Sequence, residues 1–310
     1  MAGSGPPGSG ALTTRLEPAV ADRVLALIGR AAETDGTDPV SEQGVHAVRS
    51  DGDVRHLAWI AGGEVVGYAQ VQPGHDPHPA MVEAVVDPAH RGRGIGTDVV
   101  REALGAAGPG ARVWAHGDLP AARAVAQRLG LAGLRELLQL RRTADRGRLP
   151  DLVVPDDISL GAYRGPEDDA EILAVNAAAF SWHPEQGSWT ERDIAERRGE
   201  PWFDPAGLFL ARAGEAPHEL LGFHWTKVHP PQGSEPAMGE VYVVGVSPSA
   251  QGRGLGRVLT LAGLHHLHER GLDTVLLYVE GDNTAALHTY ERLGFTRFHS
   301  DIAYGAPANR

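Results

Sequence analysis

The sequence predicts an α/β fold made twice in tandem, each copy a mixed central sheet flanked by helices, and three observations predict it. The segment Val244-Gly245-Val246-Ser247-Pro248-Ser249-Ala250-Gln251-Gly252-Arg253-Gly254-Leu255-Gly256 repeats, 160 positions on, Ala84-Val85-Val86-Asp87-Pro88-Ala89-His90-Arg91-Gly92-Arg93-Gly94-Ile95-Gly96. Each copy runs from β-branched residues through a proline turn and a glycine-rich loop into an apolar-periodic stretch, the order strand, loop, helix. At 310 residues the chain exceeds the size at which one core stops growing, so two domains of about 150 residues are expected.

The first copy is expected over residues 12–141. A helical pattern over 18–32 carries Val20, Val24, Leu27 and Ile28 on one face. Strands over 54–60 and 65–71 flank Gly62-Gly63, a hairpin signal between alternating residues. A strand over 81–86, the glycine-rich loop and a helix to about residue 107 follow. A strand near Val113, a helix over 120–129 ended by Gly130, and a strand over 134–140 complete the copy. The second copy, over 158–305, keeps the order. Helices over 166–180 and 190–198 precede strands over 208–213, 220–228 and 241–246. After its loop come a helix to about residue 270, a strand over 274–279, a helix over 284–293 ended by Gly294, and a strand over 296–304. Residues 142–157, where Pro, Asp and Arg interrupt both periodicities, read as a linker. Residues 1–11 are Gly, Pro and Ser without an apolar run, a disordered tail and not a signal peptide.

Composition narrows the function classes. A formal charge of -12 argues against nucleic acid as a partner, because phosphate backbones demand clustered cations. No apolar run approaches the roughly 20 residues that span a bilayer, so no membrane partner and a cytoplasmic location are expected. The count of 0 cysteines excludes disulfides, thiolate metal sites and a cysteine nucleophile. Lys227 is the sole lysine among 28 basic residues, which points to a GC-rich genome such as an actinobacterial one. His265, His266 and His268 are not completed by a carboxylate or cysteine pattern, and His75 and His78 fare no better, so no metal is expected.

Between a strand and a helix, the backbone N–H groups of 251–256 have no helical partner and converge on one spot. Phosphate oxygens bind well there, aided by the helix dipole, and the glycines allow close approach. The spacing fits neither a dinucleotide fingerprint nor a Gly-Lys-Ser/Thr loop. Residues 244–256, together with Asn283-Thr284-Ala285-Ala286-Leu287-His288-Thr289-Tyr290-Glu291-Arg292-Leu293-Gly294-Phe295, resemble a GCN5-related N-acetyltransferase (GNAT), and both halves do so over nearly their full length. The resemblance implies a strand pair that splays apart in each domain and acetyl-CoA as donor. Its pantetheine arm would lie along Val244, Gly245 and Val246, and its pyrophosphate on Gln251, Gly252, Arg253, Gly254, Leu255, Gly256 and Arg257. Asn283, Thr284, Ala285, Ala286, Leu287 and His288 would complete the cofactor site. In the first half Ala84, Val85, Val86, Arg91, Gly92, Arg93, Gly94, Ile95 and Gly96 would do the same.

Attack by an amine needs a base, since an α-amino group of pKa about 8 is mostly protonated at neutral pH, and the departing thiolate needs an acid. Tyr290, seven residues after Asn283 and on one helical face with it, has the spacing this family uses for that acid. Aligned through Gly281-Asp282 and Gly117-Asp118, Tyr290 faces Ala126 and Asn283 faces Leu119. Aligned through the loops, Glu240 faces Ala80. Glu240 is therefore the candidate base, directly or through a water. The first half would hold CoA without acetylating.

A degenerate first copy before an active second, with the stretches Phe180-Ser181-Trp182-His183-Pro184-Glu185-Gln186-Gly187, Gly222-Phe223-His224-Trp225-Thr226-Lys227 and Gly239-Glu240-Val241-Tyr242-Val243-Val244-Gly245-Val246, resembles the branch of the family that acetylates the cysteine amine of cysteinyl-glucosaminyl-inositol. That resemblance implies a small thiol-sugar substrate held by Glu42, Glu185, Lys227, Glu240 and Tyr278. The residues alone leave Glu42 and Glu185 equally readable as solvated carboxylates, Tyr278 as strand packing and Lys227 as a residue of no special role. A peptide N-terminus or an aminoglycoside would use the same carboxylates, and a non-catalytic CoA-binding module is the non-enzymatic alternative. A tandem repeat can replace a homodimer, so a monomer is expected.

Overall fold

The computed structural model describes residues 12–75, 78–181, 186–214, 218–231 and 235–307. The expected tail of residues 1–11 lies outside them. Two compact units form, one from Met1–Leu137 with Ser300–Arg310 and the other from Leu138–His299.

Unit 1 contains β1 (Leu12–Thr13), α1 (Pro18–Asp35), α2 (Glu42–Ala47), β2 (Arg55–Ala61), β3 (Glu64–Gln72), β4 (Met81–Val86), α3 (Ile95–Ala107), β5 (Arg112–Ala115) and α4 (Pro120–Arg128). Strand β6 (Ala132–Thr143) begins in unit 1 and ends in unit 2. Unit 2 contains β7 (Ile158–Ala162), α5 (Asp169–Ala179), α6 (Glu191–Arg198), β8 (Leu208–Ala213), β9 (Leu220–His229), β10 (Met238–Val246), α7 (Leu255–Glu269), β11 (Thr274–Glu280) and α8 (Thr284–Arg292). Strand β12 (Thr296–Gly305) begins in unit 2 and ends in unit 1. No helix among the described residues is long and apolar enough to cross a membrane.

In unit 1 the strands lie in the order β1-β2-β3-β4-β5-β12, and in unit 2 in the order β6-β11-β10-β9-β8-β7. Strand β4 runs parallel to β5, and β10 parallel to β11. Both parallel pairs are short. Hydrogen bonding joins Met81–Glu83 to Arg112–Trp114, and Gly239–Val241 to Val275–Leu277, after which each pair parts. Apolar layers cover both faces. In unit 1, Val24, Leu27 and Ile28 of α1 pack under Tyr68 and Val85, while Val99, Val100 and Ala103 of α3 pack on Leu57, Ala69 and Val82. In unit 2, Leu261, Leu264 and Leu267 of α7 cover Val241, Val275 and Leu277, and α5 and α6 cover Phe223, Trp225 and Val243. Burial on both faces explains why β3 and β9 read as nearly continuous apolar runs.

Several expectations shift. The final strand does not stay with the second copy: Ile302, Ala303, Tyr304 and Gly305 pair antiparallel with Ala115, Trp114, Val113 and Arg112 of β5. Residues 300–305 therefore belong to unit 1, and 138–141 to unit 2. The stretch expected as a linker is packed, because Leu149 joins the α7 core and the buried Arg142 donates its Nε–H to Leu293 O at 2.9 Å. The helix expected from residue 166 begins with a 3₁₀ turn, Pro166–Asp168, before α5. Elements α2, β1 and β7 carry too short a pattern to be read from sequence. Gly44 of α2 lies where a Cβ would overlap Gln70 and Glu83, so tertiary contact places that helix.

Candidate functional site

Each unit puts a glycine-rich loop where its parallel strands part. In unit 2 the chain leaves β10, makes a 3₁₀ turn over Pro248–Ala250 and enters α7 through Gly254. Gly252 and Gly254 have φ of 78° and 77°, a region that costs an L side chain, and no atom lies within 4 Å of where a Cβ would stand. Open backbone and the unpaired N–H groups of the first α7 turn make an anion cradle. Arg253 pairs with Asp157, and Arg257 stays exposed at the helix start. Beyond Val241 the β11-facing edge of β10, including Val244, Gly245 and Val246, is freed by the parting of the strands. These residues fit an extended ligand arm with a pyrophosphate at its end.

A β-bulge lies beside that gap. Pairing of β9 with β10 slips between Val241 and Val243, and both Tyr242 and Val243 then pack toward α5 and α6. Before the bulge, a Cβ on Gly239 would press on Leu267 of α7, so Glu240 points to the opposite face. Its cross-strand partners are Lys227 on β9 and Leu276 on β11. Glu240 is 7% exposed, and His229 Nε2 sits 2.7 Å from its Oε2. Lys227 makes no ion pair among the described residues; its Nζ lies over the Trp202 and Tyr242 rings, at 5.1 and 5.7 Å from their centroids.

Helix α8 carries Tyr290, half-buried against the α7 core and edge-on to Phe295 at 5.7 Å. Its hydroxyl makes no hydrogen bond among the described residues, and burial pushes it up to about 12. It remains protonated at neutral pH. Asn283 is not on the helix face with Tyr290; it is the N-cap, its Oδ1 accepting from Ala286 N–H at 3.1 Å. Thr284, Ala285, Ala286, Leu287 and His288 form the turns that follow.

Unit 1 keeps the cradle and changes the chemistry. A cavity of about 340 Å³ runs from Arg91, Gly94 and Gly96 past Ala84–Val86 to His116, Leu119 and Ala126. Arg91 is clamped to Asp35 by hydrogen bonds of 2.7 and 2.8 Å. Ala126 and Tyr290 are each the seventh residue of their helices, so the methyl group stands where unit 2 has the phenol. The counterpart of Glu240 is corrected from Ala80 to Met81. Counted from the Gly67–Val86 and Gly222–Val246 pairs, Gln72 opposes Met81 as Lys227 opposes Glu240. The bulge in β10 shifts the count by one. A carboxylate does stand nearby in unit 1, Glu83, but it is saturated. Its Oε1 accepts from Ser41 N–H at 2.8 Å and meets His116 Nε2 at 2.7 Å, while Oε2 accepts from Ser41 Oγ and Gln70 Nε2. Burial raises Glu83, yet hydrogen bonds from His116, Ser41 and Gln70 hold it below the usual carboxylate range. Burial alone would lower His116; Asp301 and Glu83 together raise it to about 9. An imidazolium locked between two carboxylates has no free proton acceptor.

These two geometries can be set beside known proteins. The Acetyltransferase (GNAT) family matches residues 25–131 and 175–295, once in each half. The chain belongs to the GNAT acetyltransferase family. Its relatives include the mycothiol acetyltransferases of Rhodococcus opacus, 68% identical over 94% of this chain and 96% of that one, and of Nocardia farcinica, 62% identical over 95% and 96%. Among solved structures, a GCN5-related N-acetyltransferase from Sphaerobacter thermophilus aligns with a TM-score of 0.71 at 20% identity, covering 95% and 94%. A tandem GNAT protein from the clavulanic acid biosynthesis pathway aligns with 0.65 at 20%, covering 95% and 97%. Both share the fold.

The remaining expected residues of this GNAT chain are scattered. Glu42 is an exposed first-turn residue of α2 in unit 1, and Glu185 lies outside the described residues. Tyr278 is 48% exposed and shares the Glu240 face of β11; its hydroxyl accepts from Gln139 Nε2 at 2.7 Å. His265 meets Pro150 O and His266 meets Asp204. No group of three metal-ligating side chains forms among the described residues. Sequence reasoning missed His229, Gln139 and the Trp189, Trp202 and Tyr242 aromatic cluster. Only His229 had a signal, its even spacing from Lys227 on one strand.

Proposed function

We propose that the chain is a mycothiol acetyltransferase, moving acetyl from acetyl-CoA to the cysteine α-amine of cysteinyl-glucosaminyl-inositol in a ternary complex, with mycothiol and CoA as products. The observation that supports this reading most is the asymmetry of the units. Unit 2 pairs the cradle with the buried carboxylate of Glu240, on the strand that parts from β11, and with a phenol held in its acid form, where unit 1 has Met81 and Ala126. The donor's thioester supplies an activated acetyl group. Backbone N–H groups at 252–256 bind its pyrophosphate, and the freed edge at 244–246 orients the arm. Glu240 takes the proton of the amine, directly or through a water. Tyr290 offers its O–H to the sulfur as charge develops there. Lys227 and Tyr278, on the Glu240 face of unit 2, grip the polyol through charged and phenolic hydrogen bonds. Unit 1 binds the same donor and transfers nothing. One chain carrying both units supports a monomer.

The test is turnover on cysteinyl-glucosaminyl-inositol beside a peptide amine and an aminoglycoside. The thiol-sugar is expected to be preferred at least a hundredfold. Glu240→Gln and Tyr290→Phe should each lower kcat by about 10²-fold or more, while calorimetry still finds two CoA equivalents. Preference for either other amine overturns the substrate, and undiminished kcat in both variants overturns the roles.

A further inference from the structure

His229 touches Glu240, yet it neither binds phosphate nor meets the sulfur in the transfer above. Its side chain is 32% exposed against 9% for Glu240, so the pair links a buried carboxylate to the surface. An ionised carboxylate only accepts hydrogen bonds; the nitrogen on Oε2 therefore carries the hydrogen, and the neutral ring keeps a lone pair on Nδ1. With Oε2 engaged, Oε1 is the atom that can face an amine. The other groups on this face do not take that place. Lys227, directly opposite, is drawn over Trp202 and Tyr242; Leu276 on β11 is apolar; Arg197 of α6 donates to the Tyr242 hydroxyl at 3.0 Å.

We propose that His229 is the positioning partner of Glu240 and the resting place of the amine's proton, an inference that rests on the acetyl-transfer reading of this same site. The ammonium N–H bond breaks on the Oε1 side, and an Nδ1–H bond forms through solvent at the exposed ring edge. Glu240 returns to carboxylate beside an imidazolium, which later gives the proton to bulk water. The ordinary affinities of the groups explain the need. From an ammonium of pKa about 8, a lone carboxylate near 4 lies roughly four pK units uphill, an imidazole near 6.5 only about 1.5. The arrangement uses a carboxylate to fix a tautomer and stabilise charge, as in hydrolytic triads.

His229→Gln keeps an N–H for Oε2 but cannot hold a proton. It is expected to lower kcat about tenfold to a hundredfold, leave the acceptor KM within threefold, and change the pH dependence of kcat. His229→Ala should lose at least as much. A kcat and pH profile for His229→Gln matching wild type would overturn the proposal, since a spacer would then suffice. An independent readout needs no substrate. Nitrogen-15 NMR should find the hydrogen of the His229 ring on Nε2, a tautomer preference that is lost in Glu240→Leu. The same tautomer balance in both proteins sinks the pair whatever the turnover. A coupled pair in an enzyme that ignores the thiol-sugar would instead sink the substrate assignment.

Discussion

His224 shows how one buried side chain sets a pH response. It is fully buried on β9, its Nδ1 2.7 Å from Leu259 O and its Nε2 without a partner among the described residues. Burial pushes it down to about 4. The folded ring is neutral where the unfolded one, near 6.5, takes a proton. Stability is therefore full above about pH 6.5 and is lost progressively as pH falls from 6.5 to about 4, by roughly 2 kcal/mol at pH 5. Urea unfolding at pH 7 and 5 should show that loss in wild type and a much smaller one in His224→Leu. At the same scale, residue type and position in the repeat were enough to single out Glu240 and Tyr290 as candidate base and acid. The saturation of Glu83 was not, since Ser41, Gln70, His116 and Asp301 are distant in sequence and meet only when folded.

Among the elements, the loop between β10 and α7 is the most fully determined by its residues. Gly252 and Gly254 give it positive φ, Gly254 caps the helix, and the apolar period begins at Leu255. Gly254→Val places a β-branched residue at φ of 77°, a cost of about 1 to 3 kcal/mol that tilts the first-turn N–H groups. The KM for acetyl-CoA is expected to rise at least tenfold with kcat changed less than threefold; an unchanged KM would show that the cradle does not bind the donor. The bulge at Tyr242 was invisible, because a run of valines and a tyrosine pairs equally well in or out of register. Register is decided by which face packs, and here two neighbours pack toward α5 and α6.

For the whole molecule, the exchange of chain segments has the largest consequence. Unit 1 is finished by residues 302–305 on β5, and Asp301 approaches His116 to 3.4 Å. Deleting residues 300–310 should therefore expose β5 and free His116, so limited proteolysis is expected to cut within residues 12–137 at least tenfold faster. Unchanged protection would show that β12 is dispensable to unit 1. Sequence by itself determined the tandem α/β plan, the two cradles, and the Tyr290 and Ala126 contrast, because periodicity, glycine spacing and residue type are local properties of the chain. Only the tertiary structure decided which edge the last strand joins, that Met81 is the counterpart of Glu240, that both Glu83 oxygens are engaged, and that His229 meets Glu240. Those outcomes depend on hydrogen-bond partners far apart in sequence, and folding alone brings them within reach.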